Sequence, residues 1–178
     1  MLFRSHEEFL KALLLRLASE EGCELRLGIR AARGGHGKAL DELDIYQRSV
    51  SGGFAGLKVP DLLCIGIDAN CKGYTEAVRN ISKSIHERMT DRAAIACPDP
   101  HIERWYLADP ISFTRVVGAE PDVGKTKCDR DRYKKKLANA VIAGGSPLML
   151  GGIEYASEIV EARSEEHTSE LQSRQSIS

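Results

Sequence analysis

Phe9, Leu10, Leu13, Leu14 and Leu17 recur at three-and-four spacing, which places them on one side of a helix over residues 5–19, and Gly22 ends it. Leu25, Leu27 and Ile29 then alternate with Glu24, Arg26 and Arg30, a period of two that predicts a half-exposed strand near a sheet edge. A turn rich in glycine follows at Gly34, Gly35 and Gly37. Leu40, Leu43, Tyr46 and Val50 mark a second amphipathic helix, closed by a turn at 51–53, and the chain to Pro60 reads as a loop.

Residues 61–68, Asp-Leu-Leu-Cys-Ile-Gly-Ile-Asp, form a continuous apolar run bounded by acids, as expected of a central strand covered on both faces. Ala77, Val78, Ile81, Ile85 and Met89 trace a helical stripe after it, and residues 93–97 form a second short apolar run that ends at Pro98. Strand, helix and strand make a βαβ unit with parallel strands. Asp99 before Pro100 predicts a capped helix over 102–108 that stops at Pro110. A loop around Pro121, a basic helix over 129–143 and a last short helix from Ile153 complete the reading. The fold class expected from these elements is α/β, a three-layer, Rossmann-like domain on a short parallel sheet.

The chain has 178 residues, enough for one domain with a single core, so one active surface is expected. Apolar residues make up 42% and charged residues 29%, which excludes a disordered composition. No apolar stretch is long enough to span a bilayer and no signal-peptide core opens the chain, so no membrane partner and a cytoplasmic location are expected. Five cysteines, Cys23, Cys64, Cys71, Cys97 and Cys128, are odd in number, and Cys64 and Cys97 lie inside apolar runs; free thiols are expected. A formal net charge of −1 excludes a basic footprint over the whole molecule and leaves room for a local one.

From Arg163 onward the sequence has no apolar period, and its Arg-Ser-Glu-Glu-His-Thr-Ser-Glu-Leu-Gln-Ser string is similar to a translation of a common sequencing-library adapter. Residues 1–162 are therefore expected to be the domain and 163–178 to lie outside the native protein. Setting that segment aside removes Arg163 and Arg174 with Glu165, Glu166 and Glu170, which leaves the body neutral. At the other end the first helix begins near Ser5 with no strand before it, so a first strand is expected to be missing.

Asp68 and Asn70 sit at the carboxyl end of the 61–68 strand, where open parallel sheets bind ligands. Oxygen side chains two apart in a turn can reach one divalent cation, and magnesium takes one or two carboxylates plus water. The competing reading is that the same two residues simply cap the helix that follows. Asp99 and Glu103 follow the neighbouring strand; Asp99 suits the cap before Pro100, and Glu103 suits the first turn of a helix, where an acid meets the positive end of the dipole. Trp105 and Tyr106 suit a core. Two phosphate-loop lookalikes fail on spacing: Gly34 to Lys38 has Ala32 and Ala39 where a glycine and a hydroxyl belong, and Gly124-Lys125-Thr126 needs a glycine at Ala119. His6-Glu7 lacks a second histidine, because Leu10 stands there, and no Cys-x-x-Cys pair exists, so zinc is not indicated. Arg130, Arg132, Lys134, Lys135 and Lys136 form a basic run that fits either a solvated helix face or a phosphate backbone.

With Glu7 in the first helix, Ile65-Gly66-Ile67-Asp68-Ala69-Asn70 ending a strand, and Pro98-Asp99-Pro100-His101-Ile102-Glu103-Arg104-Trp105-Tyr106-Leu107-Ala108-Asp109 after the next, the chain resembles small bacterial Toprim-like proteins over residues 5–162. The last of these segments is the most specific. The resemblance implies a Toprim-like domain and a nuclease with magnesium or manganese as cofactor, acting on nucleic acid, with an ATPase partner protein encoded beside it and a role in defence against phage. It implies Glu7, Asp68 and Glu103 as catalytic residues and Asp68 and Asn70 as metal ligands. The family pattern Glu-Gly-x-x-Glu puts its first glutamate at Phe3, and Asn70 replaces the second aspartate of an Asp-x-Asp pair. These departures predict weak cation binding, poor solubility and no magnesium-dependent cleavage of DNA or RNA by the chain as written. A second class of function is a non-catalytic subunit that binds an ATPase or nucleic acid through its sheet and basic helix.

Overall fold

A computed structural model describes residues 4–32, 34–53, 56–125, 128, 129 and 131–163. It is a mixed α/β protein whose chain divides into two compact units: Arg30–Pro100 belongs to the first, and Arg4–Ile29 with the chain from His101 belongs to the second.

In the first unit, α2 (His36–Ser51) precedes β1 (Leu63–Gly66), α3 (Tyr74–Lys83) and β2 (Ala93–Ala96). The strands pair in parallel, Leu63 opposite Ala93 through Gly66 opposite Ala96, and the crossover that parallel pairing requires is α3 with a 3-10 segment, Glu87–Arg92. The predicted βαβ unit is therefore present, but β1 is shorter than the 61–68 run. Its cover is also incomplete: Ile65 and Ile67 are buried, whereas Leu62 is 53% exposed. Among the described residues the sheet has two strands, so β1 has one neighbour instead of the two of a central strand. The core joins Leu43 of α2, Ile65 and Ile67, Ala77 and Ile81 of α3, and Cys97. Gln47 of α2, fully buried, spans the turn after α3: its amide donates to Ser84 O at 2.9 Å and accepts from His86 N at 2.8 Å. A buried amide left unpaired would cost about 1–3 kcal/mol, and these two bonds remove that cost.

In the second unit, α1 (Arg4–Glu20) packs against α7 (Ala156–Ala162). The Arg16 guanidinium donates to Val160 O at 2.6 Å and Arg163 O at 2.8 Å. Between them in sequence come α4 (Glu103–Tyr106), α5 (Pro110–Val117) and α6 (Arg132–Ala143). Phe9, Tyr106, Phe113, Tyr133, Leu137 and Ile159 are fully buried in its core. Each large apolar side chain withdrawn from water in this way stabilises the unit by about 1.5–3 kcal/mol. The ends of α5 and α6 meet backbone to backbone, with Gly144 at the contact and Ser146 Oγ donating to Val117 O at 2.9 Å.

Several expectations are corrected. Residues 23–32 form neither strand nor helix, and Leu27 and Ile29 are 36% and 47% exposed. Alternation makes a strand only when a neighbour takes its hydrogen bonds and a core takes its apolar face. Asp99 does not cap a helix: the Asp99–Pro100 peptide is cis, and α4 starts at Glu103 behind Ile102 with no side-chain cap. Pro110 starts a helix where a stop was expected. Asp109 Oδ1 accepts from the Ile111 and Ser112 N–H groups, both at 3.1 Å, and Oδ2 accepts from Ser112 Oγ at 2.6 Å. Proline at the first helical position behind an aspartate cap loses no hydrogen bond. Cys23, Cys64 and Cys97 are free thiols as expected, but Cys71 and Cys128 are not. Arg163 is 4% exposed, donates to Trp105 O and lies 5.0 Å from the Phe9 ring centroid, so it is part of the second unit's packing. The rest of the 163–178 segment, and Phe3, lie outside the described residues.

Candidate functional site

Beyond Gly66 the ladder between the strands continues through their carboxyl ends. Ile67 N donates to Ala96 O at 3.1 Å, Ala69 N to Pro98 O at 2.8 Å, and Asn70 N to Pro100 O at 3.0 Å. Ile67 and Ala69, 4% and 0% exposed, anchor this stretch in the core, and Asp68 between them is 5% exposed. Asn70 has φ 52°, the left-handed conformation that asparagine tolerates better than most residues. Its Nδ2 donates to Asp68 O at 3.2 Å, which leaves Oδ1 of the amide to face another group. A 3-10 turn, Asn70–Lys72, and Gly73 with φ 78° then lead into α3.

Asp99 comes to the same end of the sheet. Burial, followed by the carboxylates of Asp68 and Asp99, pushes the Cys97 thiol up to about 12. Both acids therefore act on one buried sulfur at the carboxyl ends of β1 and β2. Asp99 was readable as a site residue from its place after the second strand, but the Asp-Pro pair gave it a competing meaning as a cap. The donor set of this end is hard oxygen: a buried carboxylate and an amide, which suits a cation such as magnesium that keeps several waters. Among the described residues, no group of three or more His, Cys, Asp or Glu side chains is arranged to hold a metal ion.

Glu7 and Glu103 belong to the second unit. Glu103, 3% exposed, accepts a hydrogen bond from Ser5 Oγ at 3.1 Å, and Tyr106 OH donates to Ser5 O at 2.9 Å. Burial, followed by the negative charge of Glu103, drives the Tyr106 hydroxyl far above its ordinary range, so it stays a donor. Glu103 thus fastens α4 to the start of α1. Glu7 is half-buried on α1, and among the described residues its carboxylate makes no hydrogen bond or ion pair.

The basic run is largely neutralised within its own unit. Arg132 pairs with Asp129 at 3.3 Å, Lys134 with Asp131 at 3.5 Å and Lys136 with Asp122 at 2.7 Å, while Arg130 lies outside the described residues. No helix among the described residues is long and apolar enough to cross a membrane. No protein-family model, no curated protein and no solved structure matches this chain.

Proposed function

We propose that this chain is a Toprim-like protein of the Rossmann-like three-layer class, a magnesium-dependent nuclease acting on nucleic-acid phosphodiesters, with Asp68 and Asn70 as its cation ligands. The observation that carries the reading is Asp68: a carboxylate almost withdrawn from water at the carboxyl end of a parallel strand, followed two residues on by an asparagine in the left-handed conformation. A bound magnesium or manganese ion would polarise the phosphoryl oxygen and stabilise the charge that develops on it. Asp68 supplies the negative charge that attracts the cation. Asn70 adds a neutral oxygen ligand, and its backbone N–H, tied to Pro100 O, holds the turn in place.

A titration with manganese, followed by paramagnetic broadening of backbone amide signals, tests the reading without needing turnover. Signals of residues 67–70 and 97–99 should broaden in the wild type and stay sharp in Asp68→Ala, with unchanged circular dichroism. Any cleavage of DNA or RNA by the wild type should fall by about 100-fold in the same variant. Broadening that persists in Asp68→Ala, or that never reaches this loop, overturns the reading.

The charge count at the site favours a second reading, a non-catalytic subunit that binds an ATPase or nucleic acid: Asn70 brings no charge, and no three-ligand group occurs among the described residues. That protein would bind nucleic acid equally well with and without manganese.

A further inference from the structure

Cationic side chains fall into two sorts in this molecule. Those of α6 are mostly consumed by neighbouring acids, as shown above. Lys72, Arg79 and Lys83, by contrast, are exposed and have no acidic partner among the described residues. Lys72 ends the turn that follows Asn70, and Arg79 and Lys83 continue along α3. With 3.6 residues per turn, positions 76, 79 and 83 fall within about 60° of arc, so one outward face of the helix carries them. The opposite face is the one buried in the core, through Ala77 and Ile81. Lys72, Tyr74, Thr75, Glu76 and Arg79 line a shallow concavity of about 420 Å³. Glu76 offsets one of the three positive charges and leaves a net surplus.

We infer that this outward face of α3 is the surface on which a polynucleotide backbone lies, with Lys72, Arg79 and Lys83 meeting separate phosphates. The substrate class rests on the phosphodiester reading above; the choice of face rests on the unpaired charges. A single small phosphate would need cations converging on one point, whereas these are spread from the turn before α3 to its last turn, with Lys72 and Arg79 lining the open depression and Lys83 beyond it, as a repeating anion requires. The face also begins immediately beyond Asp68 and Asn70 in the same unit, so a strand held here is led towards the carboxyl ends of β1 and β2. The long stems of Lys72, Arg79 and Lys83 give position, not sequence selectivity, and both DNA and RNA satisfy them.

The test is fluorescence anisotropy of the full chain with a labelled DNA duplex and, in a parallel arm, a labelled RNA strand, over a series of salt concentrations. Replacing Lys72, Arg79 and Lys83 together by glutamine preserves side-chain length and helix propensity. The triple variant should bind at least about tenfold more weakly at low salt, and the slope of log affinity against log salt should shrink by about 2–3. Lys135→Gln on α6 should bind within about twofold of wild type, and the triple variant should keep the manganese broadening of residues 67–70, so that failure of the metal site and failure of this surface are separately visible. Binding of neither probe by the wild type overturns the inference. A triple variant that is folded by circular dichroism and binds with unchanged affinity and slope overturns it too.

Discussion

Replacing Gly144 by alanine tests the closest backbone approach in the second unit. Gly144 has φ −75° and ψ −4°, a right-handed conformation in which alanine is at home. On local preference alone the substitution would stabilise the end of α6 by about 0.5–1 kcal/mol. The neighbourhood reverses the sign. An added Cβ would fall on the Val117 carbonyl oxygen, 2.8 Å from the carbonyl carbon and 3.2 Å from Ala119 N. These are backbone atoms, with no side chain to swing aside, so α5 and α6 must separate. Overpacking of this kind costs about 3 kcal/mol, which leaves a net loss of about 2–2.5 kcal/mol after the local gain. Thermal unfolding of the full chain should show a midpoint lowered by about 5–10 °C. Gly37→Ala is the matched control: it lies inside α2 with nothing within 4 Å of the added carbon, and it should leave stability equal or raise it by up to about 1 kcal/mol. A Gly144→Ala protein as stable as the wild type would refute the close contact between the two helix ends.

Asp109→Ala should destabilise the protein by about 2 kcal/mol in urea unfolding, whereas Asp109→Asn, which keeps an oxygen for the α5 N–H groups, should lose less than half of that. Equal losses in both would show that the cap is not what Asp109 contributes. Burial raises the Glu154 carboxyl, but the N–H groups of Met149, Leu150 and Gly152 outweigh it and leave the group below its ordinary 4.5. A depressed carboxyl contributes stability that is present above its unfolded value and is lost as pH falls through the lower folded one. Glu154→Gln should therefore cost about 1–2 kcal/mol at neutral pH, with the gap to wild type closing below pH 4.5; a gap independent of pH would contradict this.

The sequence made the long helices and the βαβ unit legible because each carries its own periodicity. Phe9 and Leu13 marked the buried side of α1, and the 61–68 and 93–97 runs marked two strands that do pair in parallel. What misled was information that lies outside the local pattern. Leu25, Leu27 and Ile29 alternate like a strand, but a strand also needs a partner, which the alternation cannot reveal. The Asp-Pro pair occurs twice, at 99–100 and 109–110, and only the second caps a helix. Composition cannot separate them, because the difference lies in whether Ser112 and the following N–H groups fold back onto the aspartate. At the candidate site, Asp68 and Asn70 were readable from their place after an apolar run, whereas the contribution of Asp99 and the fastening of Glu103 to Ser5 depend on residues distant in sequence.

The pairing of α1 with α7 has a consequence for synthesis. α1 leaves the ribosome well before its partner, which is complete only when residues 156–162 have emerged. Phe9 and its apolar neighbours must wait exposed while residues 30–100, which are contiguous, can close around their own core. Growth from the amino end normally lets the earliest segment fold earliest. Here residues 30–100 mature before α1, which precedes them, and the interval during which α1 is uncovered is the stage at which a chaperone would be most useful.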